Sequence, residues 1–198
     1  MNIPTFASVS VAVIHSLAPD HYVPFAVLGK ARNWGIKKTL AFSFAAATVH
    51  VLTSVAIGMM LREGLNVLSL AKVVESLSPA ILIATGLGYS IFSALKRHDH
   101  VRTTSVTILL ILGISPCVPL ISLMLAAKTK LELAKVVTSF SVATISTVLA
   151  LTYISFKAFK PPKILHGKED VIAGLVVAFV GAVDYLTNFK KTIIKHGA

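Results

Sequence analysis

The sequence predicts an all-α polytopic membrane bundle of six transmembrane helices, built as two inverted three-helix repeats with broken first and fourth helices. Three observations carry this expectation. The 198 residues are 55% hydrophobic and only 14% charged, with a mean hydropathy of +0.81, more apolar surface than a single soluble core absorbs. Uncharged stretches of membrane-crossing length recur along the chain. Proline-interrupted segments stand at corresponding places in the two halves, three spans apart.

The first expected span runs from residue 1 to about 28 and is interrupted by Asp20. It has no basic residue before Lys30 and carries His15, Asp20 and His21, unlike a cleaved signal peptide with its positive start, and reads as a retained span. Residues 39–61, 76–95, 103–127 and 136–156 are free of charge. At about 1.5 Å per residue each can cross about 30 Å of hydrocarbon. A sixth span, residues 171 to about 189, is interrupted by Asp184. The connections are short, polar or basic, so the expectation is a single transmembrane domain, with one half at about 1–97 and the other at about 98–198.

A formal charge of +11 would suggest nucleic acid for a soluble protein, but the 19 Lys and Arg sit mostly in short loops and the C-terminal tail. There they set topology and meet anionic lipid headgroups, and no nucleic-acid partner is expected. Eleven of them flank the ends of the first, third and fifth spans and eight lie on the other side. The positive-inside rule then puts both termini outside, with the cell membrane as the expected location. The one cysteine, Cys117, excludes an internal disulfide and a dithiol cycle within one chain. Self-association stays open.

The densest group of ligand-capable side chains is His15-Ser16-Leu17-Ala18-Pro19-Asp20-His21. A carboxylate inside an apolar span costs several kcal/mol unless it is paired or hydrated. On a regular helix, at about 100° per residue, His15 and His21 would lie roughly 120° apart and could not aim at one point. Pro19 removes a backbone donor and clashes with the carbonyl of His15, which predicts a kink or an unwound turn there. Two imidazoles and a carboxylate suit first-row divalent ions such as Ni²⁺, Co²⁺ or Zn²⁺ better than hard Mg²⁺ or soft Cu⁺. The alternative is a shorter first span that ends at Asp20 and His21, with His15 hydrogen-bonded inside the bundle.

His50 lies near the middle of the second span and is either a further ligand or a satisfied core histidine. Cys117, between Pro116 and Pro119, is either a ligand or pathway residue or a small packed side chain. Asp184 either carries an ion or a proton, or ends the last span early. His98-Asp99-His100 falls in a basic loop, where solvation is the simpler reading and metal capture the alternative. The repeat pairs Ala18-Pro19-Asp20 and Val23-Pro24-Phe25 with Ser115-Pro116-Cys117 and Val118-Pro119-Leu120.

His15-x4-Asp20-His21, followed by Gly29-Lys30-Ala31-Arg32-Asn33-Trp34-Gly35 and Ala47-Thr48-Val49-His50, resembles the nickel/cobalt transporter superfamily, its short members and the related urease-accessory-type membrane proteins. The resemblance covers roughly the first 60 residues and the Pro-Cys segment. It implies metal-ligand roles for His15, Asp20 and His21, with His50 beside them, and Ni²⁺ or Co²⁺ as transported substrate without a tightly bound cofactor. Gly113-Ile114-Ser115-Pro116-Cys117-Val118-Pro119 is similar to the Pro-Cys motif of these proteins and of the thiol carriers of cytochrome c assembly. Those carriers use a cysteine pair, and this chain has one cysteine. It also lacks the extra spans of the longest family members and the His-rich loop of some exporters, which leaves import and export equally open.

The expected function is secondary transport of a divalent transition-metal cation, with Pro19, Pro116, Cys117, Pro119 and Asp184 along the pathway. No ATP-binding motif is present, so coupling would be to protons or to membrane potential. Two alternatives are a membrane thiol or metalloprotein-assembly protein working through Cys117, and a small-anion exporter on the same scaffold. No nucleophile, base and oxyanion set has an interpretable spacing, so no enzyme is expected.

Overall fold

A computed structural model describes residues 3–64, 68–95, 115–159 and 169–196. Among these residues the chain is all-helical, with seven α-helices and no strand. They are α1 (Ile3–Ser16), α2 (Val23–Ala31), α3 (Ile36–Arg62), α4 (Leu68–Leu95), α5 (Val118–Ala126), α6 (Lys130–Ala158) and α7 (Glu169–His196).

Two of them, α3 and α6, are long and apolar enough to cross a membrane. Shorter apolar stretches are Thr5–Ser16, Pro79–Ile91 and Val171–Val183. Six spans were expected from sequence, and these two meet the criterion of length and composition. The expected fourth span, 103–127, has only its last part among the described residues, and there the helix is confined to α5.

The break between α1 and α2 follows from its residues. Ala18 is extended at φ −61° and ψ 129°, and Pro19–His21 form a single 3₁₀ turn. α2 then starts with Pro24 in its first turn, where the missing N–H costs nothing. It ends in a reciprocal cap: Asn33 takes the left-handed conformation at φ 52°, the Trp34 N–H donates to Gly29 O at 2.8 Å, and the Asn33 N–H donates to Lys30 O at 3.1 Å. α5 repeats the pattern. It follows the extended Cys117, has Pro119 in its first turn and, like α2, is nine residues long.

The two short helices run to opposite ends of the bundle. The α2 end meets α4 and the end of α6, where Arg32 Nε donates to Tyr89 Oη at 3.1 Å and Lys30 Nζ lies 4.3 Å from the Phe156 ring centre. The α5 end meets the end of α3, where Arg62 donates to Met124 O at 2.7 Å and Ala127 O at 2.9 Å. Arg62 thereby satisfies carbonyls that a helix C-terminus leaves open.

Packing falls into two layers that share α2 and α3. Ala12, Val51, Cys117, Leu120, Met124, Val136 and Phe140 join α1, α3, α5 and α6 in one apolar cluster. Ser8 Oγ ties α1 to Val136 O at 3.1 Å, and the Ser43 and Thr152 hydroxyls bond at 2.9 Å between α3 and α6. α4 and α7 form the other tight pair, with backbones in direct contact. A Cβ on Gly174 would stand 2.6 Å from Gly86 O and 2.7 Å from Ser90 N, and one on Gly86 would collide with Ala178 N. Glycine is required at both positions because the opposing atoms are backbone and cannot rotate away.

Candidate metal centre

The centre forms where α1 stops. His15 is in the last turn of α1 and His21 closes the 3₁₀ turn that follows it. The break turns the two rings toward each other, with centroids 4.7 Å apart at an interplanar angle of 77°. His50 approaches from the middle of α3, its ring centre 6.0 Å from that of His15 and 5.4 Å from that of His21. Three imidazoles from two segments therefore converge, which one unbroken first helix could not achieve.

Asp20 stands beside this group. Its Oδ1 accepts from His21 Nδ1 at 2.8 Å, with side-chain exposures of 20% and 14%. A carboxylate on one ring nitrogen orients the imidazole and leaves Nε2 as the ligating atom, the usual outer arrangement around a metal-bound histidine. Asp20 can thus act through His21 as well as by direct ligation.

His50 is 7% exposed. Its Nε2 is buried with no hydrogen-bond partner. A buried ring nitrogen in that condition costs free energy unless something fills the space before it. The His15 and His50 nitrogens and Cys117 Sγ all lie within 4.8 Å of one another. A tetrahedral ion with bonds of about 2.0–2.3 Å holds its ligands roughly 3.3–3.7 Å apart, so side-chain rotations of about an ångström would close the set.

Ser54 was not singled out from the sequence, and it fixes how the two helices meet. One turn beyond His50, its hydroxyl donates to His50 O at 2.6 Å and accepts from the Cys117 N–H at 2.7 Å. Ser54 is fully buried. The Ser115-Pro116-Cys117 segment is thereby pinned against α3 at the level of His50. The only available signal was a small hydroxyl four residues after a buried histidine, a pattern too common to decide on.

The other residues expected at the site are distributed as follows. Pro19 is exposed and opens the 3₁₀ turn, Pro116 is buried beside Cys117, and Pro119 lies in the first turn of α5. Asp184 falls within α7, and its side chain lies outside the described residues. His98, Asp99 and His100 also lie outside them. No family model, curated protein or solved structure matches this chain.

Proposed function

We propose that the protein is a membrane transporter that carries a divalent transition-metal cation, Ni²⁺ or Co²⁺ foremost, through the centre formed by His15, Asp20, His21 and His50. The convergence of three imidazoles at a helix break inside an apolar bundle carries this reading. Such a cluster has little purpose in a hydrocarbon-facing protein other than to replace the hydration shell of a cation.

The membrane setting is supported by where the apolar side chains point. Only 33% of the apolar window of α3 and 22% of that of α6 is buried, the reverse of core helices in a soluble protein. Phe6, Ile14, Phe44, Leu52, Leu131, Val142, Ile154 and Phe179 all expose half or more of their surface, forming an apolar exterior that water would not tolerate over this area. On this reading the chain has six spans in two inverted halves. The paired half-helices α2 and α5 start at the centre and diverge toward opposite faces, the arrangement that lets two halves rock about a fixed site.

Protons compete with the ion, because an imidazole ligates only when neutral and a carboxylate only when ionised. A proton gradient could therefore load the site on one face and empty it on the other.

The test is uptake by proteoliposomes holding a metal-sensitive dye, with Ni²⁺, Co²⁺, Zn²⁺ and Mn²⁺ offered in turn. Flux is expected for Ni²⁺ and Co²⁺ and is expected to fall at least about 10-fold in His15→Ala and in Asp20→Asn, the scale at which loss of even an outer-sphere partner is felt. Absence of flux for every ion under a proton gradient and under a potential of either sign would overturn the proposal.

A further inference from the structure

Cys117 stands at the level of His50 beside the candidate centre. In the repeat, Ser115-Pro116-Cys117 answers to Ala18-Pro19-Asp20, and each tripeptide precedes a nine-residue helix that opens Val-Pro. Each half thus places one side chain able to bear negative charge just before the N-terminus of its short helix. Cys117 is the N-cap of α5, and the partial positive charge of a helix N-terminus favours an anion there. The anionic form of sulfur is the one that ligates metals.

The surroundings supply a second observation. His50 Nε2, on a side chain more than nine-tenths buried, has no hydrogen-bond partner, and a nitrogen of the His50 ring lies within 4.8 Å of a His15 ring nitrogen and of Cys117 Sγ. The Ser54 relay keeps Cys117 at that level of α3. Ordinary core packing gives no reason to leave a nitrogen of that ring unbonded beside the one thiol in the chain.

We propose that Cys117 ligates the transported cation as a thiolate, the second half's counterpart of Asp20, with His15 and His50 as its nitrogen partners. This rests on the cation site proposed above and narrows its substrate. On binding, the Cys117 S–H bond breaks, its proton passes to water and a metal–sulfur bond forms, with no change of oxidation state. The thiolate and the Asp20 carboxylate together cancel the charge of a divalent ion, so the loaded centre is neutral and crosses the low-dielectric interior at lower cost. A sulfur ligand selects borderline ions such as Co²⁺, Ni²⁺ and Zn²⁺ against Mn²⁺ and Mg²⁺. It also ties the two halves through the ion, since the other ligands come from α1, the adjoining turn and α3.

The experiment is Co²⁺ titration of the purified full chain in detergent, followed by absorption. Because the chain contains one cysteine, a near-ultraviolet sulfur-to-cobalt charge-transfer band from the wild-type protein identifies Cys117 without recourse to a variant. The expected result is that band, its loss in Cys117→Ser, and a Co²⁺ affinity lower by roughly 100-fold, at the upper end of what outer-sphere losses produce. The preference for Co²⁺ over Mn²⁺ should shrink in the same variant. Co²⁺ that binds with visible ligand-field bands and no charge-transfer band would overturn the role of Cys117 and leave the His and Asp centre standing. Failure of Co²⁺ to bind at all would overturn both.

Discussion

Asp20 and Ser54 show how single side chains decide this centre. Asp20 holds the His21 ring through one 2.8 Å bond, and Ser54 holds the backbone of Cys117 to that of His50 through two. Replacing Ser54 by alanine leaves the buried Cys117 N–H without its acceptor, which should lower stability by about 1–3 kcal/mol. Thermal unfolding in detergent reads that loss. The same variant should weaken Co²⁺ binding, whereas Thr48→Ala should leave both unchanged, because Thr48 bonds only to the carbonyl of Phe44 on a face away from the site. At this scale the sequence was informative about chemistry and silent about partners. His15, Asp20, His21 and His50 stood out because ionisable groups are rare in apolar stretches. Ser54 did not, because serines are frequent there and only three-dimensional contact distinguishes this one.

Among the helices, the break after α1 was legible and the tight α4–α7 contact was not. Proline has a fixed φ and no N–H, so Pro19 announced the interruption where α1 stops; Pro116 stands just ahead of α5, and residues 103–114 of that expected span lie outside the described residues. The α4–α7 seam depends on Gly86, Gly174 and Gly181, and glycines in apolar helices have several uses that a sequence does not separate. The structure assigns them one: a Cβ on Gly174 would press on Gly86 O and Ser90 N, and one on Gly181 would come within 2.9 Å of Pro79 O and Ile83 N. Gly174→Ala should therefore force the helices apart and lower stability by about 1–3 kcal/mol, the usual cost of overpacking. Gly88→Ala should not, because nothing lies within 4 Å of its Cβ position and alanine favours the helix by up to ~1 kcal/mol. A comparison of the two melting temperatures tests the seam directly. An equal response from both would show that the backbone approach is not what holds α4 to α7.

For the molecule as a whole, the distribution of charge and aromatic side chains bears on how it sits in a membrane. Lys30 from the last turn of α2, Arg32 just after it and Lys38 from the first turn of α3 gather at one end with Lys157 from the close of α6. There Lys38 Nζ lies 4.9 Å from the Trp34 ring centre, Lys157 Nζ 5.8 Å from that of Tyr153, and Arg32 beside Tyr89. Cations over aromatic rings are the usual furnishing of a membrane–water boundary. Arg62 marks the opposite end, where the carbonyls of α5 are held. Among the described helices, α3 and α6 meet the length and apolarity expected of a span. In the proposed six-span reading α1 and α2 together make one crossing and α5 completes another. The count can be measured from the ends of the chain. An even number of crossings would put both termini on one face, and the excess of Lys and Arg in the expected odd-numbered loops would make that face the outer one. Epitope tags at residue 1 and residue 198 should therefore both be labelled by an impermeant reagent in intact cells. Labelling of neither would reverse the orientation and keep the even count. Labelling of only one would require an odd number of crossings, remove the inverted relation between the halves, and leave α2 and α5 without the symmetry that the proposed rocking about the centre needs.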